Sequence, residues 1–572
     1  MSEQDSLHRT GSTLDDAASK NPWDVLIIGG GITGAGILLD AVQRGLKAIL
    51  IEMQDFAEGT SSRSTKLVHG GLRYLKQFEI GLVAEVGKER RIVYENAPHV
   101  TTPEWMLLPL LEGGSYGVLA ASFGIRLYDY LAGVKRSERR QMLSREQTLH
   151  REPLLRTEGL KGAGTYVEYR TDDARLTLEI IKEAVARGGT ALNYTKATRL
   201  QKEDGRVIGV EAQSTLHRET MTTLLATRII NATGPWVDVL REMDGSKQGK
   251  TLHWTKGVHL VVDASKFPLS HPVYFDVPDG RMIFAIPRDG KTYIGTTDTD
   301  FHADLLHPRM TVTDRDYLLD AVQFMFPSVV LSQNDVESSW AGVRPLIHEA
   351  GKNPSEISRK DEVFESQSGL ITIAGGKLTG YRKMAEKVVD LVTKRLSAVH
   401  QKSYPPCQTE HLRLSGGHFS SSALFASFIR EQTERGVALG LSAETAEKLV
   451  RRYGSNITDV FSYLEHDRPE VARDLSQEVY ATLQYGMDHE MVCTPSDYFV
   501  RRTASLYFNI AFVREWMTPV AAYMAQRLGW TDAERDCMEK DLQVHLEEAT
   551  VPVSAEHAPS TRNEAKEPVP LG

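Results

Sequence analysis

Residues Asp24–Glu52 read DVLIIGGGITGAGILLDAVQRGLKAILIE. Val25 to Ile28 is an uninterrupted apolar run, the pattern of a strand buried on both faces. Gly29, Gly31 and Gly34 follow at G-x-G-x-x-G spacing; Ile37, Leu38, Ala41 and Val42 then recur at helical intervals. Ala48 to Ile51 form a second strand that ends in Glu52. Strand, tight turn, helix, strand and acid is the order of a dinucleotide-binding unit. In such a unit Gly29 permits the sharp turn, Gly31 lets a pyrophosphate approach the backbone, and Gly34 lets helix and strand pack closely. The helix N-terminus presents N–H groups and a positive dipole end to phosphates, and Glu52 stands where an acid accepts a ribose hydroxyl. The glycine spacing alone also fits a turn that binds nothing; the two strands and the acid favour the dinucleotide. A membrane span is excluded, because the uncharged run from Val25 to Leu39 is short, glycine-rich and closed by Asp40.

At 572 residues the chain has room for two or three domains. A formal net charge of −9 argues against nucleic acid as the main partner. Cys407, Cys493 and Cys537 form no C-x-x-C pair, so neither a disulfide framework nor a metal site is expected. Residues 1–22 lack an apolar signal core and read as a disordered leader without export, which points to a cytoplasmic protein. Residues 551–572 read as a disordered tail.

Beyond Glu52, small polar residues Thr60, Ser61, Ser62 and Ser64 precede Lys66, His69-Gly70-Gly71 and Arg73-Tyr74. This loop leaves the carboxyl end of a strand, where open α/β sheets bind ligands, so it is expected to line the cofactor. Glu104 to Gly133 reads as a buried strand and then a helix, and Ser144 to Tyr169 as a connector with a short hairpin around Gly162 and Gly164. Asp173 to Arg187 reads as an amphipathic helix. A later strand runs into Asn231-Ala232-Thr233-Gly234-Pro235-Trp236, a tip suited to abutting a ligand. Lys256 to Thr297 alternates strands and turns, the pattern of an antiparallel substrate-capping sheet. His259 lies in its first strand; a lone strand histidine is more often structural, yet it titrates near neutrality and is a candidate general base. Arg344 sits among Trp340, Val343, Pro345 and Leu346, where an unpaired charge is costly, so a phosphate or carboxylate partner is expected. Leu370 to Ile373, then Ala374 to Gly380, then a helix make a second strand, glycine turn and helix start. Residues 400–550 read as a C-terminal helical domain with no chemical motif of its own.

Taken together, DVLIIGGGITGAGILLDAVQRG, EGTSSRSTKLVHGGLRYL, NATGPW, KGVHLVV, WAGVRPL, AGGKLTGYRKMAE and DYFVRRTASLYF resemble the FAD-dependent, respiratory glycerol-3-phosphate dehydrogenases from about Trp23 to Leu546. The resemblance implies an α/β (α+β overall) protein of the two-dinucleotide-binding-domain type. FAD-binding segments would fall at about 23–100, 170–240 and 365–399 within a region 23–399, with an antiparallel β substrate cap mainly at 100–165 and 250–364. It implies that Gly29, Gly31, Gly34 and Glu52 hold the ADP half of FAD. Thr60, Ser61, Ser62, Ser64, Ala232, Gly234, Gly376, Lys377, Leu378 and Thr379 would follow the cofactor to the flavin. Arg73, Tyr74, Arg344, Arg359 and Lys377 would form the substrate site, with His259 as the catalytic base and Arg344 beside it. Relatives often carry serine before that histidine; here Val258 stands there.

The implied activity is oxidation of sn-glycerol 3-phosphate to dihydroxyacetone phosphate, with electrons passed to a membrane quinone at the inner face of the cytoplasmic membrane. No segment reads as a bilayer span, so membrane contact would be peripheral, through the aromatic and Arg-bearing C-terminal helices; these also suit packing or a homodimer contact. The rival reading is a glycerol-3-phosphate oxidase that makes hydrogen peroxide; such relatives carry a mid-chain insertion that is not evident here. A second rival, an RNA-modifying or interaction protein with structural FAD, is disfavoured by the acidic balance.

Overall fold

The computed structural model describes residues 21–69, 80–114, 139–217, 220–349 and 361–554, with a few isolated positions outside these ranges. Trp23–Ile28 lies at the centre of the first sheet, parallel to Ala48–Ile51 on one side and Met221–Asn231 on the other. Ile371–Ala374 extends the parallel order beyond Met221–Asn231, and Thr190–Leu192 beyond Ala48–Ile51. The apolar run is buried on both faces, as expected. Val25 and Ile27 pack into a core with the helices Ile32–Gln43, Asp173–Ala186 and Tyr381–His400, while Leu26 and Ile28 join Ile49, Ile51, Val210 and Leu224 on the other side. The expected turn at Asp204-Gly205 joins Thr195–Glu203 to Arg206–Ser214.

The second sheet is the cap. Its strand order is Thr299–Asp300, Lys250–Asp263, Lys291–Gly295, Met282–Arg288, Val273–Asp276, Thr101–Leu111, Leu160–Thr171 and Leu67–Val68, with Val336–Glu349 and Gln141–Ser144 paired off this path. All its pairings are antiparallel except one between Val273 and Leu107. Alternation along the His259 strand divides the environment: Val258, Leu260 and Val262 face the helix Val312–Met325, whereas Val261 faces the C-terminal helices together with Tyr293 and Trp340.

Several expectations are corrected. Gly162 and Gly164 lie inside the twelve-residue strand Leu160–Thr171, not in a hairpin turn. Gly162 is needed for close approach, since a Cβ there would lie 2.3 Å from the Leu143 carbonyl oxygen. The stretch read as a disordered leader lies mostly outside the described residues, but within it Leu14 and Ala17 are buried, and the Trp23 indole donates to the Ala17 carbonyl at 3.1 Å. The tail is engaged at its start, where Val553 bridges to Thr311. DYFVRRTASLYF is helical, as expected for the C-terminal region, but buried: Asp497–Arg502 forms a π-helical turn, Ser505–Phe508 a short α-helix, and every residue from Asp497 to Phe508 is buried. That segment therefore presents no face to a membrane. The helix expected after the Thr101–Leu111 strand falls largely outside the described residues.

Candidate active site

The strand tips of the first sheet open into a cleft of about 830 Å³ that runs to the cap, within the range of roughly 300–1,000 Å³ usual for ligand pockets. Its near wall is the glycine turn. Gly29 has φ +117°, and a Cβ on Gly34 would fall 1.9 Å from the Gly29 carbonyl oxygen, so helix and turn can touch only without a side chain there. Gly34 serves that packing and does not itself line the cleft, whereas Gly29, Gly31 and Glu52 do. Glu52 accepts from Gly30 N at 2.6 Å and Gln54 N at 3.0 Å, and burial pushes its carboxyl up to about 7.

The loop after Glu52 folds over this turn. Ser61 Oγ accepts from Ile32 N at 2.9 Å at the helix N-terminus, and Thr60 Oγ1 donates to the Val343 carbonyl at 2.7 Å, joining the loop to the cap. Thr60, Ser61 and Ser64 line the cleft; Ser62 does not. Its side chain is buried beneath the loop, where its hydroxyl donates to the Glu58 carbonyl at 3.4 Å, so of the four expected hydroxyls it is the one turned away from the cleft. Ser64 Oγ donates to Asp173 at 2.7 Å, and the other oxygen of that carboxylate pairs with buried Lys66 at 2.6 Å. Opposite, Ala232, Gly234, Gly376, Lys377, Leu378 and Thr379 complete the lining, and Thr379 Oγ1 donates to the His69 carbonyl at 3.2 Å.

The far end is organised by cross-strand register. Trp340, His259, Gly295, Phe284 and Tyr274 stand opposite one another on five neighbouring strands, so their side chains share one face. The His259 ring lies flat against Trp340, with centroids 4.8 Å apart and planes at 11°, and it covers the place a Gly295 side chain would take. Two residues along, Gly257 pairs with Gly342. A Cβ on Gly342 would lie 2.3 Å from the Arg63 carbonyl oxygen, and one on Gly257 2.3 Å from Arg344 Nη2. Three glycines thus form a floor that admits the loop backbone, the imidazole and the guanidinium to one face.

His259 is 2% exposed. Its Nε2 meets Thr65 Oγ1 at 3.1 Å, and Nδ1 has no hydrogen-bond partner among the described residues. Burial, followed by the positive charges of Arg344 and Lys66, holds the imidazole well below its ordinary 6.5, so it is neutral at physiological pH. Thr65 is itself fixed: Tyr293 OH donates to its carbonyl at 3.1 Å and the Trp340 indole to the Ser64 carbonyl at 3.0 Å. Half-buried Arg344 finds the expected carboxylate in Asp298 at 3.1 Å and receives support from Thr296 Oγ1 at 3.1 Å. Arg73, Tyr74 and Arg359 lie outside the described residues. Thr65, Asp298, Thr296 and Arg63 were not singled out from sequence. The lone signal for them was the glycine at 257, 295 and 342, which acquires meaning only once the strands are in register.

A pyrophosphate turn and a neutral imidazole beside an arginine, sharing one cleft, suit an oxidoreductase that holds its dinucleotide while acting on a small molecule. A family model described as FAD dependent oxidoreductase matches residues 24–382, and one described as the C-terminal domain of alpha-glycerophosphate oxidase matches 407–535. The aerobic glycerol-3-phosphate dehydrogenase of Bacillus subtilis (strain 168) is 56% identical over 536 residues, covering 94% of this chain and 96% of its own. The crystal structure of the glycerol-3-phosphate dehydrogenase from Bacillus halodurans complexed with FAD aligns with a TM-score of 0.81 at 50% identity, over 95% of this chain and 99% of that one. An L-alpha-glycerophosphate oxidase from Mycoplasma pneumoniae with FAD bound shares the fold, with a TM-score of 0.53 at 20% identity, over 68% of this chain and 97% of that one. The chain belongs to the FAD-dependent oxidoreductases and, among them, to the aerobic glycerol-3-phosphate dehydrogenase family. FAD is its cofactor, and the glycine cradle with the Glu52 tip fits the ADP half of that molecule. Among the described residues no helix is long and apolar enough to cross a membrane, and no cluster of His, Cys, Asp or Glu is arranged to hold a metal ion.

Proposed function

We propose that the chain oxidises sn-glycerol 3-phosphate to dihydroxyacetone phosphate and passes the electrons to a quinone, working against the cytoplasmic face of the membrane by peripheral contact. FAD, when bound, supplies the acceptor for the hydride of the substrate's C2. His259 takes the proton of the C2 hydroxyl, and its neutral state leaves it able to do so. Thr65 orients the ring through Nε2, and Trp340 keeps it from turning. Arg344 grips the phosphate, for which its planar fork is suited, while Asp298 and Thr296 hold the guanidinium in place. Arg73, Tyr74, Arg359 and Lys377 complete the anion site in this reading. Gly29, Gly31, Glu52, Thr60, Ser61, Ser64, Ala232, Gly234, Gly376, Leu378 and Thr379 hold the cofactor.

The observation that carries this reading is the convergence of a neutral buried base and a supported arginine on the end of the FAD cleft. Identities of 56% and 53% to relatives named aerobic glycerol-3-phosphate dehydrogenases support glycerol 3-phosphate as the substrate, and the electron acceptor is what the test decides. The test is turnover of glycerol 3-phosphate with a soluble quinone, with dihydroxyacetone phosphate and hydrogen peroxide both assayed. Ketone and quinol in equal amounts are expected; peroxide matching the ketone, with the quinone untouched, would assign the oxidase instead.

A further inference from the structure

We infer that the turn Asp497–Arg502 shapes the cofactor cleft, with Arg501 as its positioning residue, so that the C-terminal helical region serves FAD retention. The π-helical turn is wider than an α-helical one, so consecutive side chains diverge less. Arg501 and Arg502 both reach buried Asp55 as a result. Arg502 grips it with both terminal nitrogens, at 2.6 and 2.9 Å, and Arg501 also pairs with Glu58 and with Asp497 at 2.8 Å. Asp55 and Glu58 belong to the loop whose neighbours Met53, Gln54, Gly59 and Ser61 line the cleft. Glu58 passes the contact on to Arg63, also at the cleft, at 3.2 Å.

The facing wall is tied to the same turn. Tyr194 precedes the cleft residues Thr195 and Lys196, and its hydroxyl donates to Asp497 at 2.5 Å; Asn193 Nδ2 donates to Asp55 at 3.1 Å. The walls are also joined directly, by Tyr194 N to the Gln54 carbonyl at 2.8 Å and Thr195 N to the Glu52 carbonyl at 2.6 Å. Arg501 lines neither wall, yet it neutralises carboxylates from the loop and from its own turn. Without it Asp55 keeps Arg502 and Glu58 keeps Arg63, but Asp497 loses its paired cation and the three carboxylates face one another across a dry site, where the repulsion is relieved by protonation or by the groups moving apart. Their separation would move Glu52 to Ser61, which cradle the dinucleotide.

The test is the FAD dissociation constant of the apo full chain, read by quenching of flavin fluorescence, with circular dichroism to establish that each variant is folded. Arg501→Met should weaken FAD at least about tenfold, and Arg501→Lys, which keeps the charge and loses the fork, should recover part of that. Leu449→Ala, a cavity in the helical core away from the cleft, should lower the melting temperature and leave FAD affinity within about twofold. Should Arg501→Met not fold, Tyr194→Phe removes a single hydroxyl and should still weaken FAD about threefold. FAD affinity unchanged in folded Arg501→Met or in Tyr194→Phe, or lost equally in Leu449→Ala, would overturn the inference.

Discussion

Gly295→Ala tests the placement of the base from beneath. The new methyl would lie 2.2 Å from His259 Cδ2 and 2.7 Å from both Cγ and Nε2, whereas carbons in contact sit about 3.5–4.0 Å apart. The overlap is therefore roughly 1.5 Å. The ring has no simple retreat, because Trp340 lies flat against it and is itself 3% exposed. Relief requires the imidazole to shift by more than about 1 Å, which breaks its contact with Thr65, and a misplacement of that size costs on the order of a hundredfold in rate. The overpacking itself should cost about 1–3 kcal/mol of stability. Anaerobic stopped-flow bleaching of the flavin by glycerol 3-phosphate should slow about a hundredfold, an effect of the size expected for a displaced catalytic group. FAD content should be unchanged, since Gly295 lies in the cap and not on the glycine turn. Bleaching at the wild-type rate in a fully loaded variant would refute the argument, either because the ring is not held there or because it is not the base.

His259→Gln should slow bleaching by about 10²–10⁴-fold, the contribution of a positioned general base, and Thr65→Val should slow it less, with Thr65→Ser close to wild type; FAD absorbance checks loading in each. Arg344→Ala should raise KM by roughly 10- to 150-fold, about 1.5–3 kcal/mol for losing a charged hydrogen-bond partner, and an unchanged KM in steady-state kinetics would remove Arg344 from the phosphate site. Because the folded His259 titrates well below 6.5, flavin reduction should show no acidic limb centred at 6.5, which a pH profile of the bleaching rate would reveal. The same depression, with His69 held near 3 by burial, means that the unfolded chain gains protons below about 6.5 that the folded protein refuses. Stability should therefore fall as pH drops from about 6.5, seen as a declining melting temperature.

The cofactor half of this protein was legible because its signals are local. A glycine turn, the strand before it and the acid after it are contiguous from Asp24 to Glu52, and the returns at Asn231–Gly234 and Ala374–Thr379 are each a strand tip followed by small residues. His259 and Arg344 could be named from the family resemblance, but why they meet could not, since that depends on the registers His259–Trp340 and Thr255–Arg344 across strands about eighty residues apart. Ser62 turns inward, and residue type alone does not distinguish a hydroxyl that faces the cleft from one that closes its loop on itself. Gly162 and Gly164 looked like turn residues because a glycine pair marks turns and strand contacts alike; at Gly162 the absence of a Cβ serves close strand approach. The Arg501–Asp55 contact spans 446 positions, and no pattern within either segment announces it.

The most direct measurement is anaerobic titration of the FAD-loaded protein with glycerol 3-phosphate, followed by the visible absorbance of the flavin. The account predicts bleaching in proportion to substrate added, with dihydroxyacetone phosphate formed in equal amount and the same titration much slowed in His259→Gln. A flavin that stays oxidised in the wild-type protein with saturating substrate would contradict it.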